Sequence, residues 1–226
     1  SFRYPDQELD TLEKIDLKIN KGEKIAILGR NGSGKTTLIK LASGLFGSTD
    51  GLVTYDGVDS KQIHNEDLSR SIGIVLQDIQ LFSGSIIENI SMGREGINEE
   101  DIVQASKISG LDEFLGKMPG GYELVLQDKG NGLSGGQRQA IALTRALVHK
   151  PTHYILDEPT SAMDMNSENH FINNFKTIIE DSTLIVVSHR MPLVNLVDRI
   201  VVMNGGKIVE DGPKDEVLKK LQSQNN

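Results

Sequence analysis

The sequence has 226 residues, 37% of them apolar, and a formal net charge of −8, which predicts one folded α/β domain or two small ones. It contains no cysteine, which excludes disulfides, thiolate metal sites and cysteine nucleophiles. The acidic balance without a basic stripe argues against a nucleic-acid partner, and the apolar runs are much shorter than the roughly 18–20 residues of a membrane span.

The first third of the chain predicts strands around a glycine-rich turn. Apolar residues alternate over residues 15–19, and after the turn "KGE" the run "KIAIL" predicts a second strand. The glycine-rich turn leads into "KTTLIKLASGL", which has helical spacing and Gly44 near its end. "GLVTYDGVDS" predicts a hairpin with its turn at Asp56-Gly57, and "SIGIVLQ" predicts a further strand.

The rest of the chain predicts a helical insertion followed by more strands. Residues 78–147 are mostly helical in pattern, and "HYILDEP" and "STLIVVSHR" are typical of buried strands that flank an amphipathic helix, "SENHFINNFKTIIED". "RIVVMNGGKIVEDG" predicts a hairpin, residues 214–221 a last helix, and "QSQNN" a frayed polar tail. Alternating strands and helices predict a mostly parallel sheet covered on both faces.

A phosphate-binding loop is the strongest local motif. "GRNGSGKT", from Gly29 to Thr36, follows an apolar strand and opens a helix, which is the context that this pattern requires. Its backbone N–H groups can surround phosphate oxygens, and we expect Lys35 to reach the β- and γ-phosphates and Thr36 to bind Mg²⁺. The alternative, an ordinary glycine-rich turn, is disfavoured by this spacing.

Polar residues follow three other predicted strands, at the edge where a parallel sheet binds its ligands. Asp157 is a candidate Mg²⁺ ligand, and Glu158 is a candidate to orient or deprotonate the attacking water. His189 is a candidate partner of the γ-phosphate, and Gln77 of Mg²⁺ or water. Taken one at a time, each has a simpler interpretation as a structural or solvated side chain.

Two further features suggest contacts with a nucleotide. Ser134, Gly135 and Gly136 precede a long helical pattern, and a serine cap with two glycines predicts a second anion site at that helix start. Tyr4 carries a ring that either stacks on a base or packs against its neighbours, and the sequence leaves both interpretations open.

Together these motifs resemble the nucleotide-binding domain of ATP-binding cassette transporters over essentially residues 1–221. Tyr4, "GRNGSGKTT", Gln77, "LSGGQ", "YILDE", "SAMD" and His189 occur in the family's order. The resemblance implies Glu158, His189 and Lys35 as catalytic residues and Thr36, Gln77 and Asp157 as Mg²⁺ ligands. The implied ATP contacts are Tyr4, Gly29, Arg30, Asn31, Gly32, Ser33, Gly34, Lys35, Thr36, Thr37 and Gln77, with Ser134, Gly135, Gly136, Gln137 and Asp164 acting on the ATP of a second copy.

The resemblance also implies an architecture and an activity. The fold expected is a P-loop NTPase core with a mostly parallel sheet, an N-terminal antiparallel β subdomain and an inserted helical subdomain. Residues 1–77 and 148–226 would form the ATP-binding core, and residues 78–147 the helical subdomain with the signature motif. ATP hydrolysis would take place between two copies packed head to tail.

"LFSGSIIENI" and the signature region resemble exporters, most of all those of bacterial type I secretion, which carry polypeptides across the inner membrane. This implies a transmembrane domain in the same longer polypeptide, a place at the cytoplasmic face of that membrane, and a periplasmic adaptor and an outer-membrane channel as further partners. The start at Ser1 without methionine fits a piece of such a polypeptide. Gln127-Asp128 departs from the usual Gly-Glu of exporters, and "LTRAL" and "SAMD" depart from "ARAL" and "SALD".

Three alternatives remain at this point. A lipid or drug exporter is the main one, because the membrane portion selects the cargo. A non-transport ATPase of the same family usually carries two cassettes, coiled-coil insertions or basic arms, which this sequence lacks. A kinase-like or GTP-binding enzyme would leave "LSGGQ" unexplained, and no Asn-Lys-x-Asp motif is present.

Overall fold

A six-stranded sheet forms the centre of the structure, a computed structural model that describes residues 1–126 and 130–224. The strands of the described part are β1 Lys24–Gly29, β2 Thr54–Tyr55, β3 Val58–Asp59, β4 Ile72–Val75, β5 Gly84–Ser85, β6 Val125–Leu126, β7 His153–Asp157, β8 Thr183–Val187, β9 Arg199–Asn204 and β10 Lys207–Pro213. The central sheet has the order β10-β9-β1-β8-β7-β4, and every neighbouring pair is parallel except β9 with β10. The predicted mostly parallel sheet is confirmed.

Helices lie before, between and after these strands. They are α1 Lys35–Ala42, α2 Asn65–Ser71, α3 Ile86–Ser91, α4 Glu99–Ser109, α5 Leu111–Leu115, α6 Gly135–Leu147, α7 Met165–Ile178, α8 Met191–Val194 and α9 Lys214–Gln224. None of the helices in the described ranges is long and apolar enough to cross a membrane.

The sheet separates two apolar clusters, because successive side chains of a strand point to opposite faces. Ile25 and Ile27 of β1 belong to the cluster beneath α1, whereas Ala26 belongs to the cluster shared with the helices from α3 to α7. The same alternation holds in β8, where Ile185 lies in the first cluster and Val186 in the second. Both faces are therefore covered, as the sequence predicts.

The strand register brings the candidate functional residues to one edge. Val187 is the partner of Ile27 on one side and of Asp157 on the other, and Leu156 is the partner of Val75. The carboxyl ends of β1, β8, β7 and β4 are thus neighbours. The segments that follow these strands consequently emerge side by side, although they are far apart in the sequence.

The predominantly helical segment between β4 and β7 connects two neighbouring strands of the sheet. Within it α4 and α5 pack on α6, and α6 packs on β4. The helix starts follow local capping rules: Ser85 with Glu88 caps α3, and Asn98 with Asp101 caps α4. The segment therefore extends the core without interrupting the sheet.

Antiparallel pairing is confined to short elements apart from β9 and β10. The hairpin of β2 and β3 has the predicted turn, with Asp56 at φ +50° and Gly57 at φ +83°, and β5 pairs with β6. Near the N-terminus a single antiparallel bridge joins Phe2 and Leu12. These small antiparallel elements accompany the central sheet, so the expected mixed α/β fold is confirmed.

Three local predictions differ from the structure. The strand predicted at residues 15–19 is wrong: the side chains alternate in burial, but the backbone has no ladder there. Alternation reports which side is buried, and it does not report whether a neighbouring strand is available to pair. The last helix continues through the predicted tail to Gln224, and the short helices α2 and α8 are unpredicted. The departure at Gln127-Asp128 lies outside the described residues.

Candidate functional site

The loop between β1 and α1 has the backbone shape that its glycines predict. Gly29 has φ +152° and Gly34, at the start of α1, has φ +99°. A Cβ atom at Gly34 would lie 2.6 Å from Leu12 Cδ2, so this position needs glycine for space as well as for conformation. Arg30, Asn31 and Gly32 form the exposed tip of the loop. The tip of the loop is therefore exposed to solvent, while its glycines determine the backbone conformation.

Lys35 places its cation inside this loop. Its Nζ donates hydrogen bonds to the carbonyl oxygens of Gly29, at 2.7 Å, and Arg30, at 3.0 Å, and the side chain is buried. The neighbouring Ser33 Oγ is also buried and has no hydrogen-bond partner within the described residues. A buried cation beside an unpaired hydroxyl fits a phosphate group, which accepts hydrogen bonds.

Thr36 and Asp157 join the loop to the carboxyl end of β7. The Thr36 hydroxyl donates a hydrogen bond of 2.7 Å to Asp157 Oδ2. Burial raises the pKa of the Asp157 carboxyl above its ordinary value, the hydrogen bond from Thr36 and the charges of Lys35 and Lys40 lower it, and Asp78 raises it. Two oxygen atoms of the kind that bind metal ions thus lie side by side next to the phosphate loop.

Glu158 has an unusual backbone conformation for a residue other than glycine. Its φ is +49°, in the left-handed region, and its N–H donates a 2.8 Å hydrogen bond to the carbonyl of Val187 in β8. The carboxylate accepts a 3.4 Å hydrogen bond from Ser188 Oγ. Burial raises the pKa of Glu158, while the charge of His189 lowers it and that of Asp157 raises it. The carboxyl group is therefore held close to the other site residues.

His189 and Gln77 complete the group at this edge. His189 follows β8 and is exposed, and its charge acts on Glu158. Gln77 lies two residues beyond the end of β4 and is also exposed. The topology places both at the same edge of the sheet as the phosphate loop, and their roles toward a nucleotide stay predictions.

Tyr4 packs within an aromatic group while keeping part of its surface exposed. Its ring meets Phe2 and Phe46 edge to face, with centroid distances of 4.9 and 5.9 Å. Its hydroxyl lies 3.2 Å from Thr37 Oγ1 on the helix that follows the phosphate loop. The packing interpretation is thus confirmed, and stacking on a base stays a prediction for the remaining surface.

The second predicted anion site lies at the start of α6. Ser134 Oγ accepts a 3.2 Å hydrogen bond from the Gln137 N–H, and Gln137 Oε1 accepts one of 2.7 Å from the Ser134 N–H. Gly135 and Gly136 pack on the segment after β7, because added Cβ atoms would lie 3.0 Å from Ala162 Cβ and 3.2 Å from Ala162 O. The two glycines therefore also have a packing role that the sequence does not reveal.

Asp164 forms the start of α7. Its carboxylate accepts hydrogen bonds from the backbone N–H of Ser167, at 2.9 Å, and from the Ser167 hydroxyl, at 3.2 Å. The backbone hydrogen bond from Ser167 is the main cause of the lowered pKa of this exposed carboxyl. Its structural role is thus a helix cap, and contact with a second copy stays a prediction.

Two buried polar residues that sequence reasoning missed support these elements. Gln139, in α6, is buried and hydrogen-bonds to the segment after β7. Glu168 is buried in α7 and accepts hydrogen bonds from Thr160 and from Arg190, the residue after His189. The sequence feature that could have identified them is a polar residue on the buried face of an amphipathic helix. Gln139 is an example, because it lies one turn before the buried Leu143 on the same face of α6.

The strand, phosphate loop, helix and facing carboxylate define a phosphate-loop nucleotide-binding protein. The ABC transporter family matches residues 12–161, which are more than half of the sequence, and the chain belongs to that family. It is an ATP-binding and ATP-hydrolysing domain of this family.

Several characterised proteins are similar to the chain. The cyclolysin secretion/processing ATP-binding protein CyaB of Bordetella pertussis is 41% identical over 96% of this chain and 31% of its own length. The alpha-hemolysin translocation ATP-binding protein HlyB of Escherichia coli is 42% identical over 98% of this chain and 31% of its own length. The chain therefore spans about a third of the length of these relatives.

A solved structure of a bacterial Atm1-family ABC exporter with ATP bound is also similar, with a TM-score of 0.89 and 30% sequence identity. The match covers 97% of this chain and 38% of the exporter chain. The agreement extends over nearly all of the fold described above.

Proposed function

We propose that the chain is the ATPase domain of an exporter that uses Mg-ATP to move a polypeptide across the cytoplasmic membrane. The observation that carries this proposal is the 2.7 Å hydrogen bond between Thr36 and Asp157, which joins the phosphate loop to the acidic strand end. The nucleotide would lie against the catalytic carboxylates at this contact between the loop and the strand end.

The side-chain oxygens at this contact fit Mg²⁺, because this ion prefers oxygen ligands. Thr36 and Asp157 would hold the ion together with Gln77, each by an oxygen atom. When bound, the ion supplies positive charge to the β- and γ-phosphates. Lys35 and the backbone N–H groups of residues 29–36 bind the same phosphates from the loop side.

Glu158 would orient the attacking water and accept its proton, and His189 would hold the γ-phosphate. Burial supports this role, since it raises the pKa of the Glu158 carboxyl toward the range in which a base works. The backbone at φ +49° supports it as well, because strained residues cluster at functional sites.

A second copy would complete the pocket. Ser134, Gly135, Gly136 and Gln137 at the start of α6, with Asp164 nearby, would contact ATP held by the other copy. In this arrangement residues 1–77 and 148–226 form the ATP-binding core and residues 78–147 the helical subdomain. The exposed Ser134 at the N-terminus of a 13-residue helix supports an anion contact there.

The names of the similar proteins support the proposed cargo. CyaB is named for the secretion and processing of cyclolysin and HlyB for the translocation of alpha-hemolysin, which supports a polypeptide cargo over a lipid or drug. The proposed whole protein has a transmembrane domain and acts at the cytoplasmic face of a bacterial inner membrane, with a periplasmic adaptor and an outer-membrane channel as partners. The second candidate is a lipid or drug exporter, since the similarity to an Atm1-family ABC exporter supports an exporter without specifying its cargo.

The substitution Glu158→Gln tests the mechanism. We expect phosphate release to fall by about a hundredfold or more, because the water loses its base while the shape of the side chain is kept. ATP binding should persist, and an ATP-dependent dimer should accumulate in size-exclusion chromatography with light scattering. A variant that hydrolyses ATP at the wild-type rate would contradict the role of Glu158.

A matched control is Glu66→Gln on the exposed helix α2, which should leave phosphate release unchanged. Dimerisation is judged separately from hydrolysis: a Glu158→Gln variant that is inactive, binds ATP and stays monomeric at every concentration would contradict the shared pocket alone.

A further inference from the structure

Gln139 connects two regions of the proposed site from within one chain. It lies in α6, five residues after Ser134, and its side chain is 2% exposed. Its Nε2 donates hydrogen bonds to the carbonyl oxygen of Glu158, at 2.9 Å, and to Ser161 Oγ, at 3.3 Å. Its Oε1 accepts a 2.8 Å hydrogen bond from the N–H of Ala162. Every polar atom of this buried amide is therefore used by the segment that follows β7.

The backbone of Glu158 is the part of that segment which needs support. A residue with a Cβ atom in the left-handed region persists only where its surroundings determine the conformation. On the amino side, the Glu158 N–H is held by Val187 O at 2.8 Å. On the carboxyl side, its carbonyl receives Gln139 Nε2 and, at 3.2 Å, the Ser161 N–H. Gln139 thus provides a side-chain hydrogen bond that fixes the peptide group on the carboxyl side of Glu158.

We infer that Gln139 is a positioning residue, which holds the Glu158 carboxylate in its catalytic place by fixing the Glu158 carbonyl onto the signature helix α6. The inference rests on the proposed function of Glu158. It adds a direct connection, within one chain, between Glu158 and the start of α6, which would contact the ATP of the second copy. Gly135 and Gly136 on α6 strengthen this connection, because they also pack against Ala162. A shift at the start of α6 reaches the backbone of Glu158 through one side chain.

Two substitutions separate the contacts of Gln139. Gln139→Met keeps the length and most of the volume of the side chain and removes all its hydrogen bonds. Gln139→Glu keeps an acceptor for the Ala162 N–H, but its ionised carboxylate cannot donate to the Glu158 carbonyl. The control is Gln104→Met on α4, where the glutamine is exposed and donates a hydrogen bond to the side chain of Glu100.

The experiment measures kcat and KM for MgATP, the binding of a fluorescent ATP analogue, and thermal unfolding of the 226-residue chain. We expect both Gln139 substitutions to lower kcat by about tenfold or more with KM and nucleotide affinity within about twofold of wild type. Gln104→Met should leave all these values unchanged. Wild-type kcat in both variants contradicts the inference, and so does an equal loss of kcat and nucleotide affinity, which indicates a purely structural role.

A double variant separates this inference from the proposed function. If Gln139 acts through Glu158, adding Gln139→Met to Glu158→Gln should lower the residual rate by less than about twofold. A further tenfold loss contradicts the inference, because Gln139 would then act independently of Glu158. A Glu158→Gln variant with wild-type kcat contradicts the proposed function instead.

Discussion

The hydroxyl of Thr36 donates a 2.7 Å hydrogen bond to the carboxylate of Asp157, a residue 121 positions later in the chain. Thr36 lies in the first turn of α1, and Asp157 is the last residue of β7, which is not a neighbour of β1 in the sheet. The contact therefore spans the strand β8 between them. It joins the phosphate loop to the acidic edge of the sheet.

The buried charge of Asp157 predicts a stability cost for the nucleotide-free chain. Its pKa is raised in the folded state, so this state binds a proton more tightly than the unfolded state does. Asp157→Asn keeps an acceptor for Thr36 and removes the charge, so we expect a higher Tm at pH 7, by about 2–4 °C per kcal/mol gained. The gain should shrink as the pH falls through the raised pKa of the folded state, and it should vanish well below the unfolded pKa of about 3.9, where both states of wild type are protonated.

Asp164→Asn is the control for that measurement. The pKa of Asp164 is lowered by its capping hydrogen bonds, so its ionised form stabilises the fold, and its replacement should not raise the Tm at pH 7. Thermal unfolding of wild type and both variants between about pH 2.5 and pH 7 decides the matter. A lower Tm for Asp157→Asn at pH 7 would show that its charge is stabilising.

The cap of α6 predicts different effects on hydrolysis and on nucleotide binding. Ser134→Arg places a bulky cation where the proposed second copy contacts ATP, and we expect hydrolysis to fall by about tenfold or more. Binding of ATP to the monomer should change by less than about twofold, because the phosphate loop is untouched. Equal loss of both would place the site in its own subunit. Asn98→Arg removes a similar cap from α4 and serves as control, with a cost of about 1 kcal/mol in stability alone.

The ring of Tyr4 predicts a contribution to ATP affinity. Tyr4→Ala should weaken ATP binding by about tenfold, because aromatic stacking on a base is worth about 1–3 kcal/mol. Tyr4→Phe keeps the ring and loses the hydrogen bond to Thr37, so its affinity should stay close to wild type. Phe46→Ala disturbs the same aromatic group and controls for packing. Calorimetric titration with ATP distinguishes the cases, and unchanged affinity in Tyr4→Ala would exclude stacking.

The ion pair between Arg190 and Glu168 is expected to stabilise the fold next to the site. Arg190 Nη1 donates a 2.8 Å hydrogen bond to Glu168 Oε2, and Glu168 is 7% exposed against 35% for Arg190. Arg190→Ala leaves a buried carboxylate without its cation, and we expect a loss of about 1–3 kcal/mol, less than for a fully buried pair.

Arg3→Ala is the matched control for this pair, since Arg3 and Asp10 form an exposed ion pair that should contribute less than about 1 kcal/mol. Urea unfolding of the two variants compares the losses directly. Equal losses would mean that burial of Glu168 adds nothing.

The sequence predicts the site well where motif and topology coincide. The phosphate loop is local, and Asp157, Glu158 and His189 follow strands whose carboxyl ends must share an edge in a parallel sheet. The predicted strand at residues 15–19 shows the limit of such reasoning, because pairing depends on a distant partner. Gln139 shows another limit: its contacts lie in a segment some twenty residues away, and only the fold brings the two together.

Strand β1 carries the phosphate loop, and its partners within the described residues are β8 and β9, which occupy Thr183–Val187 and Arg199–Asn204. At a synthesis rate of about 5–20 residues per second, roughly 8–35 seconds separate β1 from these partners. During that time the apolar run of β1 has no sheet neighbour, and the loop has no fixed shape. We therefore expect nucleotide to stabilise the growing chain only after the residues of β8 and β9, up to residue 204, have been made.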